Sequence, residues 1–189
     1  MAATFGFQKI LKVLSNKVFR FIQQTLLKPV FQDNFMEIWQ DLAIIAWTEL
    51  LLDSYEQLIG RSLLPWIGTG KEQSKMLFYA PFVLVSHGTQ TNPIFNYGNR
   101  GALDLWGLTW QELLATPSRA TVEGEEIAQE RQKMLDLVKK QGYINDYHGV
   151  RITKNGQLFR IEKAIVWNII DRDGIYCGQA ATFADWIFL

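Results

Sequence analysis

The side chains of this chain that could carry out chemistry are few and scattered. His87 and His148 are the only histidines and Cys177 is the only cysteine in 189 residues. They fall short of the three or four nitrogen and sulfur ligands of a structural zinc site, so no metal centre is expected. Ser86 and His87 adjoin, but neighbours on a strand point to opposite faces, which excludes them as nucleophile and base. The sequence also lacks a phosphate-binding loop, a dinucleotide glycine fingerprint and a nucleophile elbow. These residues point to binding and away from turnover, so no catalytic residue is assigned.

A small-molecule pocket needs mostly apolar walls with a few orienting polar groups. Asn96, Tyr97, Asn99, Arg100, Trp106, Tyr147, Arg151 and Trp167, with Arg160 beside them, combine hydrogen-bond donors with flat rings and form the expected ligand-binding set. Each also has a purely structural role open to it. Asn99 can cap a helix, Trp106 and Trp167 can fill the core, and Arg160 can pair with Glu162 or Asp146. For an anionic ligand Arg100 and Arg119 are preferred, because the planar guanidinium fork suits carboxylate or phosphate.

The elements that must position these groups follow from turns and periodicity. Tyr143 to Thr153, Leu158 to Ile170 and Ile175 to Trp186 read as three strands, separated by turns at Lys154 to Gln157 and at Asp173-Gly174. Asn-Gly and Asp-Gly tolerate the positive φ of tight hairpin turns, so an antiparallel meander is expected. In its middle strand Phe159, Ile161, Ile165 and Trp167 share one face by parity, and Lys163 falls on that packed face with its ammonium reaching water or entering a cavity.

Upstream, Ala80 to Val85 reads as an edge or entry strand and Ile94 to Tyr97 as a second short strand. Asn99 to Trp106 is a short helix stopped by Gly107, and Thr109 to Glu112 has capping-box spacing. A longer helix is expected from about Thr121 to Gln141, acidic at its start, basic at its end and terminated by Gly142. Ile127, Met134, Leu135 and Val138 give it one buried face.

Composition is 48% hydrophobic and 13% aromatic, ample for a core and incompatible with disorder throughout. No apolar run reaches the roughly 18–20 residues of a membrane span. The lone cysteine suggests a reducing, cytoplasmic setting. Net charge is zero, yet Lys9, Lys12, Lys17, Arg20 and Lys28 all precede the first acidic residue, Asp33. Residues 1–32 therefore read as a basic amphipathic helix, ended at Lys28-Pro29. It could pack on the domain or on a second copy, lie at an anionic membrane surface through residues 7–28, or act as a removable targeting peptide. Residues 33–70 read as a flanking helix, from Asp33 or Asn34 to about Ile59, and a connection; residues 71–189 read as the main module.

Within that module, Tyr79 to Thr89, Pro93 to Arg100, Gly142 to Ile144 and Gly178 to Phe183 resemble the MEKHLA domain. That family is similar to PAS domains and occurs as stand-alone bacterial, notably cyanobacterial, proteins and at the end of plant homeodomain leucine-zipper regulators. The likeness runs from about Asp41 to Trp186. The hexapeptide that names the family is absent here, as are a homeodomain and a zipper, so the plant proteins' DNA-binding role does not carry over. The resemblance implies an α+β fold, a PAS-like five-stranded antiparallel sheet with helices on one face, preceded here by N-terminal helices.

It also implies a sensing or interaction role, exercised on an unknown small molecule or protein partner. Haem and flavin are disfavoured. Neither histidine is on the long helix, and Pro117-Ser118-Arg119 stands where light-sensing PAS relatives carry a cysteine in the short-helix region. The leading expectation is a non-enzymatic sensory, ligand-binding or protein-interaction module. Its output would be a change of oligomer, such as a homodimer, through the outer sheet face and Trp39, Trp47 and Leu50 to Leu52. Two alternatives stay open: a small-substrate enzyme or carrier using the same cavity, and a peripheral membrane protein anchored by the basic helix. A nucleic-acid partner is not expected, because the basic residues form one face of one helix.

Overall fold

Asp41 caps helix α1, Leu42–Ile59: its carboxylate accepts from the Ala43 amide at 2.7 Å. The computed structural model describes residues 38–65 and 68–189. The expected basic helix, and the part of the flanking helix before Ile38, lie outside them. A single 3-10 turn, Ile38–Gln40, precedes Asp41, so α1 starts later than the apolar spacing suggests. Gly60 ends it in the left-handed conformation. Helix α2, Gly70–Phe78, begins where Glu72 accepts from the Thr69 amide at 2.6 Å, a helix start the sequence reading did not include.

Strands β1, Val83–His87, and β2, Phe95–Gly98, precede helices α3, Arg100–Trp106, and α4, Trp110–Ala115. A 3-10 turn at Ser118–Thr121 then leads to helix α5, Glu125–Gln141, so the long helix is shorter at its start than expected. Strands β3, Tyr143–Ile152, β4, Leu158–Ile170, β5, Tyr176–Phe183, and β6, Asp185–Phe188, complete the described chain. The sheet is antiparallel in the order β2-β1-β5-β4-β3. β1 is interior, flanked by β2 and β5, and not an edge; Pro81 precedes it and removes no ladder hydrogen bond.

The third meander strand divides. β5 pairs with β4 from Ile165 to Ile170, whereas β6 pairs with β4 from Phe159 to Glu162, which makes a sixth strand. Both hairpin turns form as their residues dictate. Gly156 and Gly174 take positive φ, and the Asp171 carboxylate accepts from the amides of Asp173 and Ile175.

Lys163 and Asp146 are the two non-glycine residues with positive φ among those described, at 52° and 59°. Each sits at an irregularity of the β3–β4 ladder, where Gly149 pairs with Ile161, Tyr147 with Ala164 and Ile144 with Val166. The extra residue on β4 reverses the side-chain alternation beyond it. Lys163 is consequently exposed, and Trp167 lies on the face opposite Ile161, Ala164 and Val166. The simple parity that grouped Trp167 with Ile161 does not hold.

Helix α1 covers one face, here the outer one. The Trp47 indole donates to Ser86 Oγ at 3.0 Å and the Trp167 indole to Ser54 Oγ at 3.2 Å, while Tyr55 meets the Trp167 ring edge-on with centroids 5.0 Å apart. Trp47 and Leu51 are buried in this contact. They are therefore not an open oligomer interface, contrary to the sequence expectation. Helix α5 crosses the inner face, where Asn168 donates to the Val138 carbonyl and Gln179 to that of Leu135.

Candidate functional site

Tyr147, Gly149 and Arg151 alternate along β3 and so face the same side. A Cβ at Gly149 would come within 2.3 Å of the Tyr147 hydroxyl, so only glycine lets the phenol lie back over the strand. Arg151 Nη2 then donates to that hydroxyl at 3.2 Å, Nη1 donates to the Val150 carbonyl at 2.7 Å, and the guanidinium sits 5.7 Å from the Tyr147 ring centroid. Both residues line a cavity of about 50 Å³ between the inner sheet face and α5.

Arg131 enters from α5. It stands four residues after Ile127 and four before Leu135, within the helix's apolar stripe, and is only 7% exposed. Its Nη2 donates to Ser118 Oγ at 2.8 Å. Burial, reinforced by the like charge of Arg151, pulls its pKa down to about 10, which leaves it cationic at neutral pH. His87, at the end of β1, is equally buried. Its Nδ1 lies 2.9 Å from the Gly88 carbonyl, which can only accept, so Nδ1 carries the proton and Nε2 presents a lone pair with no partner. Burial lowers its pKa to about 4, with the Gly88 bond opposing and Arg131 adding to the shift.

Apolar walls complete the cavity: Phe95, Trp106 and Phe183 at one end, Leu135, Ala164 and Val166 along the sheet and helix. Trp106 packs edge-on to Phe159, at a centroid distance of 5.4 Å, and its indole N–H has no partner.

Trp106, Tyr147 and Arg151 are thus brought together from the expected set. The others serve elsewhere. Asn99 is fully buried and saturated: its Oδ1 accepts from the amides of Leu84 and Ala102, and its Nδ2 donates to the carbonyls of Phe82 and Leu77. Asn96 accepts from Ser86 Oγ at 2.7 Å, and the Tyr97 ring packs on Trp110, with burial driving its pKa far up. Trp167 packs under α1. Arg100 pairs with Asp104, Arg119 with Glu125 and Arg160 with Glu162, all at the surface and away from the cavity. Arg131, His87, Ser118, Thr121 and Gln179 are among the polar cavity residues absent from the expected set; for Arg131 the readable signal was its place inside the stripe of Ile127, Leu135 and Val138.

A family model, the MEKHLA domain, matches residues 45–188. The chain belongs to the MEKHLA-domain family. None of the curated proteins matches this MEKHLA sequence. Among solved structures it is similar to the PAS domain of a protein from Colwellia psychrerythraea, at 17% identity, covering 63% of this chain and 95% of that one, with a TM-score of 0.52. It is also similar to the LOV protein of Rhodobacter sphaeroides, at 16% identity, 61% and 63% coverage and a TM-score of 0.50. An RNA-binding Light-Oxygen-Voltage receptor matches at 14% identity over 68% of this chain and 35% of its own, with a TM-score of 0.53. At these identities the likeness establishes a PAS-type α+β fold and nothing finer.

A flavin or haem does not fit the cavity. At roughly 10–15 Å³ per water-sized group, 50 Å³ holds about three to five non-hydrogen atoms, and Trp106 fills the space beside it. Cys177 is partly buried on β5 and directs its thiol to the Ile175 carbonyl. No described helix is long and apolar enough to cross a membrane.

Proposed function

We propose that this MEKHLA domain is a non-enzymatic sensory module, in which a small ligand in the inner cavity sets the state of the sheet and, through it, of α1. The observation that carries the reading is the concentration of three buried basic residues, His87, Arg131 and Arg151, on one small cavity. Buried polar groups are costly unless satisfied, so a ligand that satisfies them would be held firmly. The hydroxyls at the cavity are committed to other acceptors: Ser86 donates to Asn96, Ser118 to the Pro93 carbonyl and Thr121 to the Ser118 carbonyl.

The route outward is short. β1 carries His87 toward the cavity and Ser86 toward Trp47 of α1, and β4 carries Val166 toward the cavity and Trp167 toward Ser54. A displacement of either strand is therefore felt by α1 and by whatever segment precedes it. Output through self-association or a protein partner belongs to the same proposal.

Filling the cavity mimics occupancy without a ligand. Ala164 is fully buried at the cavity wall, and Ala164→Met adds bulk there. The expected result is altered amide hydrogen exchange across Leu42–Ile59, or an altered oligomeric state. Exchange and oligomeric state identical to the parent, in a variant whose fold is intact, would refute the sensory reading.

A further inference from the structure

The chemistry of the cavity narrows its ligand. Arg131 and Arg151 bring two guanidinium groups to one buried site, and among the described residues neither has a carboxylate within ion-pairing distance. Their hydrogen bonds run to Ser118 Oγ, the Val150 carbonyl and the Tyr147 hydroxyl, all uncharged. Two buried like charges without a counter-charge repel and are poorly solvated, and an anion relieves both penalties at once. The planar fork of arginine favours a carboxylate, which it can meet through two parallel hydrogen bonds.

His87 adds a second requirement. With Nδ1 committed to the Gly88 carbonyl, Nε2 is a buried acceptor without a partner. The oxygens of an anion cannot satisfy it; a hydroxyl hydrogen can. The cavity's 50 Å³ sets the size at about three to five non-hydrogen atoms.

We propose that the cavity binds a small hydroxylated carboxylate, its carboxylate held by Arg131 and Arg151 and its hydroxyl donating to His87 Nε2. A two-carbon 2-hydroxy acid and bicarbonate share this chemistry. The assignment rests on the cavity being the ligand site of the sensory module.

The test is thermal unfolding and titration calorimetry of the full chain with sodium glycolate, bicarbonate, acetate, nitrate and chloride at matched ionic strength. Glycolate or bicarbonate should raise the unfolding temperature saturably, by roughly 5–10 °C at a hundredfold excess over Kd. The tighter of the two identifies the source. Acetate and nitrate, which lack the hydroxyl, should bind about tenfold more weakly, and chloride should not saturate. Arg131→Met and Arg151→Met should abolish the saturable response while holding or raising stability in chloride, since a buried unpaired charge is replaced by an apolar chain of similar length. His87→Leu should keep the response but remove the preference of glycolate over acetate.

No saturable response of the parent protein to glycolate or bicarbonate overturns the proposal, whether or not the arginine variants fold. So does a response that survives Arg131→Met. A neutral adduct found by native mass spectrometry, together with no anion response, would remove the anion assignment and leave the sensory reading standing. Saturable glycolate binding, together with unchanged α1 exchange in the Ala164→Met protein, would do the reverse.

Discussion

Ser86 and His87 are consecutive on β1 and serve opposite faces of the sheet. Ser86 accepts the Trp47 indole proton at 3.0 Å and donates to Asn96 at 2.7 Å, which ties the strand to α1. His87 closes the inner cavity. Inner site and outer helix are thus separated by one strand and share its backbone.

Ser86→Ala therefore has a defined cost. It leaves the buried Trp47 N–H without its acceptor, a loss expected at about 1–3 kcal/mol. Denaturant unfolding should show a lower midpoint, and hydrogen exchange should rise selectively in α1. Unchanged α1 protection would mean that the indole contact does not hold the helix.

Acid should destabilise the protein through His87. Burial holds its folded pKa at about 4, against about 6.5 in an unfolded chain. Between those values the unfolded chain takes up a proton that the folded one refuses. The stabilisation is thus fully present above pH 6.5 and is lost as pH falls toward 4, by up to about 3 kcal/mol. Unfolding free energies measured between about pH 7.5 and 4.5 in chloride buffer should fall more steeply for the parent than for His87→Phe. Parallel slopes would contradict the burial of a neutral imidazole.

Asn99 and Arg100, adjacent in sequence, should differ sharply on substitution. Asn99→Ala removes a helix cap and takes the side-chain partner from the buried Leu84 and Ala102 amides and the Phe82 carbonyl, at about 2–4 kcal/mol. Arg100→Ala removes an exposed pair with Asp104 and should cost less than about 1 kcal/mol. Equal losses would show that the side chains had been assigned the wrong roles.

Lys163 holds the left-handed backbone that lets β4 turn Ala164 inward and Trp167 outward. Lys163→Gly should leave stability unchanged or raise it by up to about 1 kcal/mol, and Lys163→Val should lower it by about 1–2 kcal/mol. If valine is tolerated as well as glycine, the bulge is not what sets the two faces.

Local chemistry made much of this fold legible from the sequence. Asn99 and Thr109 cap the helices they introduce, Gly142 ends α5, and Gly156 and Gly174 make the turns of the meander. These signals act over a few residues and need no tertiary context. The division of the last strand at Ala184 does, because it depends on where β4 exchanges one partner for another. The position of Trp167 was hidden for a related reason: counting by twos fails across a bulge, and a lysine does not announce one. For the site, the shared face of Tyr147 and Arg151 was readable, whereas Arg131 lay in a strongly charged helix that masked its place in the apolar stripe.

The most direct test is a crystal structure of the chain grown with sodium glycolate, refined beside one grown with sodium chloride. The account predicts a glycolate in the glycolate crystal alone, with its carboxylate between the guanidinium groups of Arg131 and Arg151 and its hydroxyl within hydrogen-bonding distance of His87 Nε2. A cavity identical in both crystals, holding only water or closed by side chains, would contradict it.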